Sequence, residues 1–304
     1  MDNLEKYPHP CADVTSESYR SMVLAHVSEE KSQLFSTDNN EKCRNAPYPS
    51  APPGIERFHV PDDKCDWDTP FPDYSPTEYT ASIVLKNHPG WADHPTLRKS
   101  TFYFNPAGRT GMMGRGLLGK WGSNYASDPV VAWIEMDPTA NLLPLRDPVT
   151  GRVVVHFCLI QRGGQSGAGE GEWAIPGGMV ETEESVSQTL AREFKEEAIN
   201  GHNSNPPDVI AFFDNCGRIV YQGYVDDPRN TDEAWMHTTV KCFIDEGGKF
   251  LSACGFSING GELAGGDDAH AVKMVRWTPE LKLFASHTKF LGLVADHIEQ
   301  VYHM

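Results

Sequence analysis

From Gly178 the chain reads GMVETEESVSQTLAREFKEEAIN, and Glu184, Arg192, Glu193, Glu196 and Glu197 crowd onto what otherwise reads as an ordinary helix. A helix turns about 100° per residue, so Val186, Leu190 and Phe194 form one apolar stripe, and Glu193 and Glu197 fall on the same side. Two acids therefore point toward a core. An unpaired carboxylate in an apolar setting is costly and must be neutralised, paired or bound to a cation. Arg192 answers only part of this charge. The surplus suggests a hard divalent cation such as Mg²⁺, which takes oxygen ligands and leaves positions for water or phosphate oxygens. The alternative is a solvated acidic helix face.

Just before the helix, Trp173-Ala174-Ile175-Pro176-Gly177-Gly178 reads as a tight turn that brings backbone close to a ligand. Glu184 follows Gly178 after five residues, and the run Arg192-Glu193-Phe194-Lys195-Glu196-Glu197 follows after seven more. This spacing resembles the Nudix box, although the box's closing glycine and aliphatic residue fall on Ile199 and Asn200 here. The resemblance implies a Nudix fold and hydrolysis of a nucleoside diphosphate linked to a further group. It also implies Mg²⁺, with Mn²⁺ as the alternative ion, held by Glu193, Glu196 and Glu197 and by a backbone carbonyl near Gly177 or Gly178. Arg192 would brace the helix by pairing with Glu184 or Glu196.

A wider likeness narrows the substrate. The segments NPAGRTGMMGRGLLGKWGSN, EWAIPGGMVE, REFKEEA, GYVDDPRNTDEAW, GDDA and LKLFASH together resemble the ADP-ribose pyrophosphatase family of animals, from about Tyr48 to the C-terminus. That family includes a homologous domain at the cytoplasmic C-terminus of the melastatin-type cation channel opened by ADP-ribose. The resemblance therefore implies Mg²⁺-dependent hydrolysis of ADP-ribose to AMP and ribose 5-phosphate. A sensor domain fused or docked to a cation channel is the alternative. The vertebrate channel domain has a degraded box, whereas Glu193, Phe194, Glu196 and Glu197 are all in place here, which favours catalysis.

Other segments offer candidate contacts. The loop Gly108 to Gly122 contains Arg109 and Arg115, and its glycine-dense backbone could cradle a phosphate or ribose or be merely structural. Its Gly114, Gly116 and Gly119 satisfy a dinucleotide-binding pattern, but no helix can follow through Trp121-Gly122 and Pro129, so that reading fails its context. In Asp226-Asp227-Pro228-Arg229, Asp227 is a candidate for ribose hydroxyls and Arg229 for a phosphate, against a plain turn in which the acids cap backbone groups. Asp267 and Asp268 lie on a glycine-led loop, where one could act as general base for an attacking water. His287 opens the last helix behind an expected N-cap Ser286, and Phe284 suits either adenine stacking or the core. Gly178 joins the substrate contacts through its backbone.

The remaining elements must hold these groups. The predicted class is α/β with α+β character: a mixed sheet sandwiched between helices, with a smaller irregular N-terminal domain. Residues 1–45 read as a tail or docking segment with one helix near Ser18 to Phe35. Residues 46–148 read as a cap domain with the glycine-rich loop, and 149–304 as the hydrolase domain. Val153 to Ile160, Val209 to Phe213, Ile219 to Val225, Trp235 to Phe243 and Val272 to Trp277 read as strands, and the run Tyr79 to Leu85 suggests another short one. The last helix runs from about His287 to Tyr302.

A net charge of -16 argues against nucleic-acid binding, and an anionic substrate would need metal and arginines to make its site locally positive. No apolar run approaches the length of a membrane-spanning helix. Seven scattered cysteines without a C-x-x-C pair oppose a disulfide framework or zinc finger. The acidic first 30 residues suit neither a transit helix nor a signal peptide, so the expected location is cytoplasmic, or the cytoplasmic face of a membrane channel.

Overall fold

The computed structural model describes residues 40–86, 91–94, 104–139, 143–163, 169–180, 185–203, 206–214, 217–266 and 269–302, and most of its strands join one mixed sheet. The first half comprises helix α1 (Glu41–Asn45), strand β1 (Thr77–Thr80), helix α2 (Ser82–Lys86), and strands β2 (Met112–Gly116), β3 (Gly122–Ile134) and β4 (Val155–Arg162). Short strands β5 (Trp173–Ala174) and β6 (Gly178–Met179) lead to helix α3 (Val186–Glu193), which continues into a π-helical turn (Phe194–Ile199). Helix α4 (Val209–Asp214), strands β7 (Arg218–Val225) and β8 (Ala234–Glu246), helix α5 (Lys249–Ala253), strands β9 (Leu263–Ala264) and β10 (Ala269–Arg276) and helix α6 (His287–Tyr302) complete the order.

The eight-stranded sheet runs β7-β8-β3-β4-β10-β9, with β5 beside β4 and β6 beside β3. Only β3 and β8 pair in parallel, in register from Gly122 and Ala234 to Ile134 and Glu246; every other pair in this sheet is antiparallel. Successive strand residues point to opposite faces. Val131, Cys158 and Ile160 accordingly pack with Leu190, Phe194 and Phe213 on one side. Val130, Ala132, Phe157 and Leu159 pack with Phe290, Val294 and Ile298 of α6 on the other. The sheet is thus sandwiched between helices, as the class predicted.

Two sequence expectations change. Val209 to Phe213 is a helix, not a strand: the Asp208 carboxylate accepts the Ala211 amide at 3.0 Å, and Phe213 packs edge-on to Phe243 at 4.5 Å. A five-residue apolar run carries no period long enough to separate the two states, and local capping decided it. The run Tyr79 to Leu85 splits between β1 and α2. Strand β3 lies wholly before residue 148 and sits in the middle of the large sheet. Pro129 falls between the stretch of β3 that pairs β6 and the stretch that pairs β4, where the ladder on that side is interrupted and a missing N–H is tolerated. The expected helix near Ser18 to Phe35 lies outside the described residues.

The α4 assignment is testable. Phe213 is fully buried while Ile210 on the same helix is 64% exposed. Phe213→Ala should cost about 3–5 kcal/mol in urea unfolding and Ile210→Ala under about 0.5 kcal/mol; comparable losses at both sites would place the segment in a different packing.

Candidate active site

A capping box starts α3: Gln188 N–H donates to Ser185 Oγ at 3.3 Å, and the Gln188 side chain accepts the Ser185 amide at 2.9 Å. The helix then delivers Glu193 and Glu197 to one side, both only 8% exposed, and the π-helical turn carries Glu196 and Glu197. Arg192 Nη1 donates to Glu193 at 2.7 Å and to Glu196 at 3.1 Å, and its second terminal nitrogen reaches the Met179 carbonyl at 3.2 Å. The expected bracing by Arg192 therefore spans two acids of the run; Glu184 lies outside the described residues.

The glycine turn lies directly against these acids. Gly177 N–H donates to Glu197 Oε2 at 2.9 Å. A Cβ on Gly178 would stand 2.3 Å from Glu193 Oε1, so any side chain there would displace the carboxylate. The acids offer carboxylate oxygens, but among the described residues no three acids, histidines or cysteines are grouped so as to hold a metal ion. Oxygen ligands of this type suit a cation that keeps water and phosphate oxygens as its other ligands, as Mg²⁺ does.

Gly177, Gly178, Glu193 and Glu197 line a cavity of about 260 Å³ together with Asp128, Arg162, Asp227, Arg229, Thr238, Phe284, Ala285 and His287, whereas Glu196 and Arg192 are not among its lining residues. Arg229 grips Asp227 through Nε at 2.8 Å and a terminal nitrogen at 2.9 Å, and its own amide donates to the same carboxylate at 2.8 Å. Burial pushes Asp227 up, yet the Arg229 charge and hydrogen bonds outweigh it and hold the carboxyl below its usual range. The loop therefore makes the capped turn and also faces the cavity. Burial pushes Asp128 up to about 6, against the Thr238 hydroxyl at 2.5 Å and the charges of Arg162 and Arg229. Arg162 is shifted down by burial and then by Arg229.

His287 is pushed down to about 3 by burial and the Arg162 charge. Its Nδ1 accepts the Ile175 amide at 2.9 Å, which assigns the remaining proton to Nε2. Ser286 does not make the expected cap, because its buried hydroxyl has no partner. Phe284 lies beneath the Arg162 guanidinium at 4.3 Å, and Gly169 abuts its edge, so it is a wall of the cavity already engaged by a cation.

The structure does not bring Arg109 and Arg115 to this cavity. Arg109 donates to the carbonyls of Lys64 and Asp66 and lies over Trp67 at 4.9 Å. Arg115 donates to the carbonyls of Gly119 at 2.6 Å and Asp93 at 2.8 Å. The glycines between them serve close packing: a Cβ on Gly111, at φ 81°, would lie 2.1 Å from the Phe58 carbonyl. Asp267 and Asp268 lie outside the described residues. The cavity is not positive by its side chains alone, since Asp128, Glu193, Glu197 and Asp227 face Arg162 and Arg229.

Arg162 and Thr238 escaped the sequence reading. The available signal for Arg162 was a base ending the largely apolar run of β4. Nothing marked Thr238, one hydroxyl in a strand buried along most of its length.

Residues 138–290 match a family model described as NUDIX domain. The chain is 39% identical over 292 residues to the mitochondrial ADP-ribose pyrophosphatase of Rattus norvegicus, covering 85% of this chain and 78% of that protein. It is 36% identical over 286 residues to putative nudix hydrolase 6 of Caenorhabditis elegans, covering 84% and 97%. It is also 37% identical over 289 residues to the Nematostella vectensis transient receptor potential cation channel subfamily M member-like 2, covering 84% of this chain and 17% of the channel. The chain belongs to the Nudix family. Within it, the chain is a Nudix hydrolase.

The loop that carries Asp227 and Arg229 is held by a further buried acid. Asp232 accepts Thr110 N at 2.6 Å, Thr110 Oγ1 at 2.7 Å and the Tyr74 hydroxyl at 2.5 Å, and burial still pushes it from 3.8 to about 6. Because the folded-state value lies above the unfolded one, Asp232's contribution is fully present below about pH 4 and is lost as pH rises through about 6, by about 3 kcal/mol. Urea titrations should therefore show the stability difference, wild type minus Asp232→Asn, falling by that order between pH 4 and pH 7. A difference independent of pH would refute the burial effect.

Proposed function

We propose that the chain hydrolyses ADP-ribose to AMP and ribose 5-phosphate with Mg²⁺, or Mn²⁺ in its place. One observation carries this reading: the buried acids Glu193 and Glu197 and the guanidinium groups of Arg162 and Arg229 line the same cavity. A diphosphate needs both, since its oxygens take a cation held by acids and also charge-assisted hydrogen bonds from arginine. The name of the rat relative supports the substrate class.

In this reading Glu193, Glu196 and Glu197 would hold the cation with a carbonyl of the Gly177–Gly178 turn. Its chemistry there would be neutralisation of charge developing on phosphorus and a lowered pKa of the attacking water. Arg192 sets the rotamers of Glu193 and Glu196. Arg229, oriented by Asp227, and Arg162, flat on Phe284, receive the diphosphate oxygens. His287 presents its Nε2 proton as a donor, and Asp227 and Asp128 are the acceptors nearest to hand for ribose hydroxyls. Asp267 and Asp268 stay candidates for the base that takes the water's proton, on the strength of their loop position in the sequence.

The second reading is an ADP-ribose sensor tied to a cation channel, favoured by the channel relative. It predicts saturable calorimetric binding without product. The full set Glu193, Glu196 and Glu197 favours turnover, because a sensor has no use for a cation placed to activate water.

AMP release should be measured over a panel of ADP-ribose, NAD, ADP-glucose and diadenosine phosphates with Mg²⁺. ADP-ribose should lead, and Glu196→Gln with Glu197→Gln should lower its turnover by at least about a thousandfold. Undiminished AMP release from that double variant would sink the assignment. Arg162→Met should raise KM about tenfold or more, the loss of one charge-assisted contact, and an unchanged KM would remove Arg162 from the substrate site.

A further inference from the structure

One wall of the cavity is held from far away in the sequence. Phe284, Ala285 and His287 line the cavity, and Ala285 sits at φ 46°, a left-handed conformation that residues with a Cβ rarely adopt. Little within the segment explains that choice, since Ser286 is 1% exposed and its hydroxyl is unpartnered. The Ala285 carbonyl, however, accepts a hydrogen bond from Lys42 Nζ, across 243 residues of sequence.

Lys42 is itself fixed at its backbone. It belongs to α1, a single turn whose Lys42 and Cys43 amides donate to the two oxygens of Asp226 at 2.8 and 3.1 Å. Asp226 is the immediate neighbour of Asp227, which holds Arg229. Asn40 anchors the start of the same turn through the Gly108 carbonyl at 2.8 Å and a hydrogen bond from the Tyr224 hydroxyl. One short helix therefore touches both sides of the ligand cavity, the Asp226–Arg229 loop through its amides and the Phe284–His287 wall through one ammonium.

We infer that Lys42 is a positioning residue: its ammonium latches the Ala285 carbonyl and holds the Phe284–His287 wall in the conformation that receives ligand. This rests on the ADP-ribose reading for its kinetic consequence only, because the latch itself exists without ligand. It acts through the wall, so it governs binding rather than the chemical step. The competing role for the same charge, direct contact with a substrate phosphate, makes a different prediction at Ala285. Glycine adopts φ 46° without a Cβ penalty, so a wall bearing glycine there needs no latch, whereas a missing phosphate contact cannot be restored by glycine.

The test uses the full chain and four variants: Lys42→Met, Lys42→Arg, Ala285→Gly and Lys42→Met with Ala285→Gly. Lys42 is exposed, so folding should survive, and thermal unfolding checks this. Hydrogen exchange without ligand is read at Phe284 and His287, whose amides bond to the carbonyls of Trp173 and Phe284. Lys42→Met should speed exchange there about tenfold, the scale of one charge-assisted hydrogen bond, and Lys42→Arg should stay near wild type. With ADP-ribose, Lys42→Met should raise KM by about the same factor with kcat within about twofold, and adding Ala285→Gly should bring KM most of the way back. Unchanged exchange in Lys42→Met overturns the latch, as does a KM defect that Ala285→Gly leaves in place. If wild type turns over no ADP-ribose, the substrate reading fails while the exchange arm still decides the latch.

Discussion

Every carboxylate buried around the cavity must find donors, and the distribution of those donors organises the molecule. Asp226 takes the amides of α1, Asp227 takes Arg229, Asp232 takes Thr110 and Tyr74, and Glu197 takes the Gly177 amide. Apart from the Asp227–Arg229 pair within one loop, these bonds join segments that are separated in the sequence. The loop from Asp226 to Asp232 is the meeting point, and even its carbonyls are claimed, by Arg57 at Pro228 and Asn230, Tyr48 at Arg229 and Asn105 at Thr231. The glycine-rich segment before the sheet is thereby part of the site's support although its arginines never reach the cavity.

The remaining acids set the chemistry. Glu193 and Glu196 share one arginine, and Asp128 is buried with only a threonine hydroxyl as its close partner apart from more distant arginine charge. Of these, Glu193 and Asp128 are buried, and taking such charges out of water costs free energy that their partners must offset. Their retention makes sense if a cation and an anionic ligand complete the set. In a protein with a net charge of -16, a bound cation would also let the cavity accept a diphosphate.

How much of this was legible in the sequence depended on whether a signal was periodic or merely compositional. Glu193 and Glu197 and the apolar stripe of α6 repeat at helical spacing, and α3 with its π-helical turn and α6 lie where the pattern put them. Strand β3 was hidden because Gly122, Asp128 and Pro129 interrupt its apolar run, and only pairing on both flanks makes a strand of it. Helix α4 was too short to carry a period. Arg109 and Arg115 were read toward phosphate because charge type does not disclose the acceptor, and backbone carbonyls supplied by distant segments took that place. Lys42 and Arg162 gained their roles from tertiary contacts alone.

The most direct test of the central claim, that these buried acids and arginines form a cation-dependent diphosphate-cleaving site, is phosphorus NMR of ADP-ribose incubated with the protein. With Mg²⁺ the diphosphate signals should give way to two phosphomonoester signals in equal amounts, and chelation should stop the conversion. Diphosphate signals that persist with Mg²⁺ present, while calorimetry reports saturable binding, would contradict the account and leave a sensor in its place.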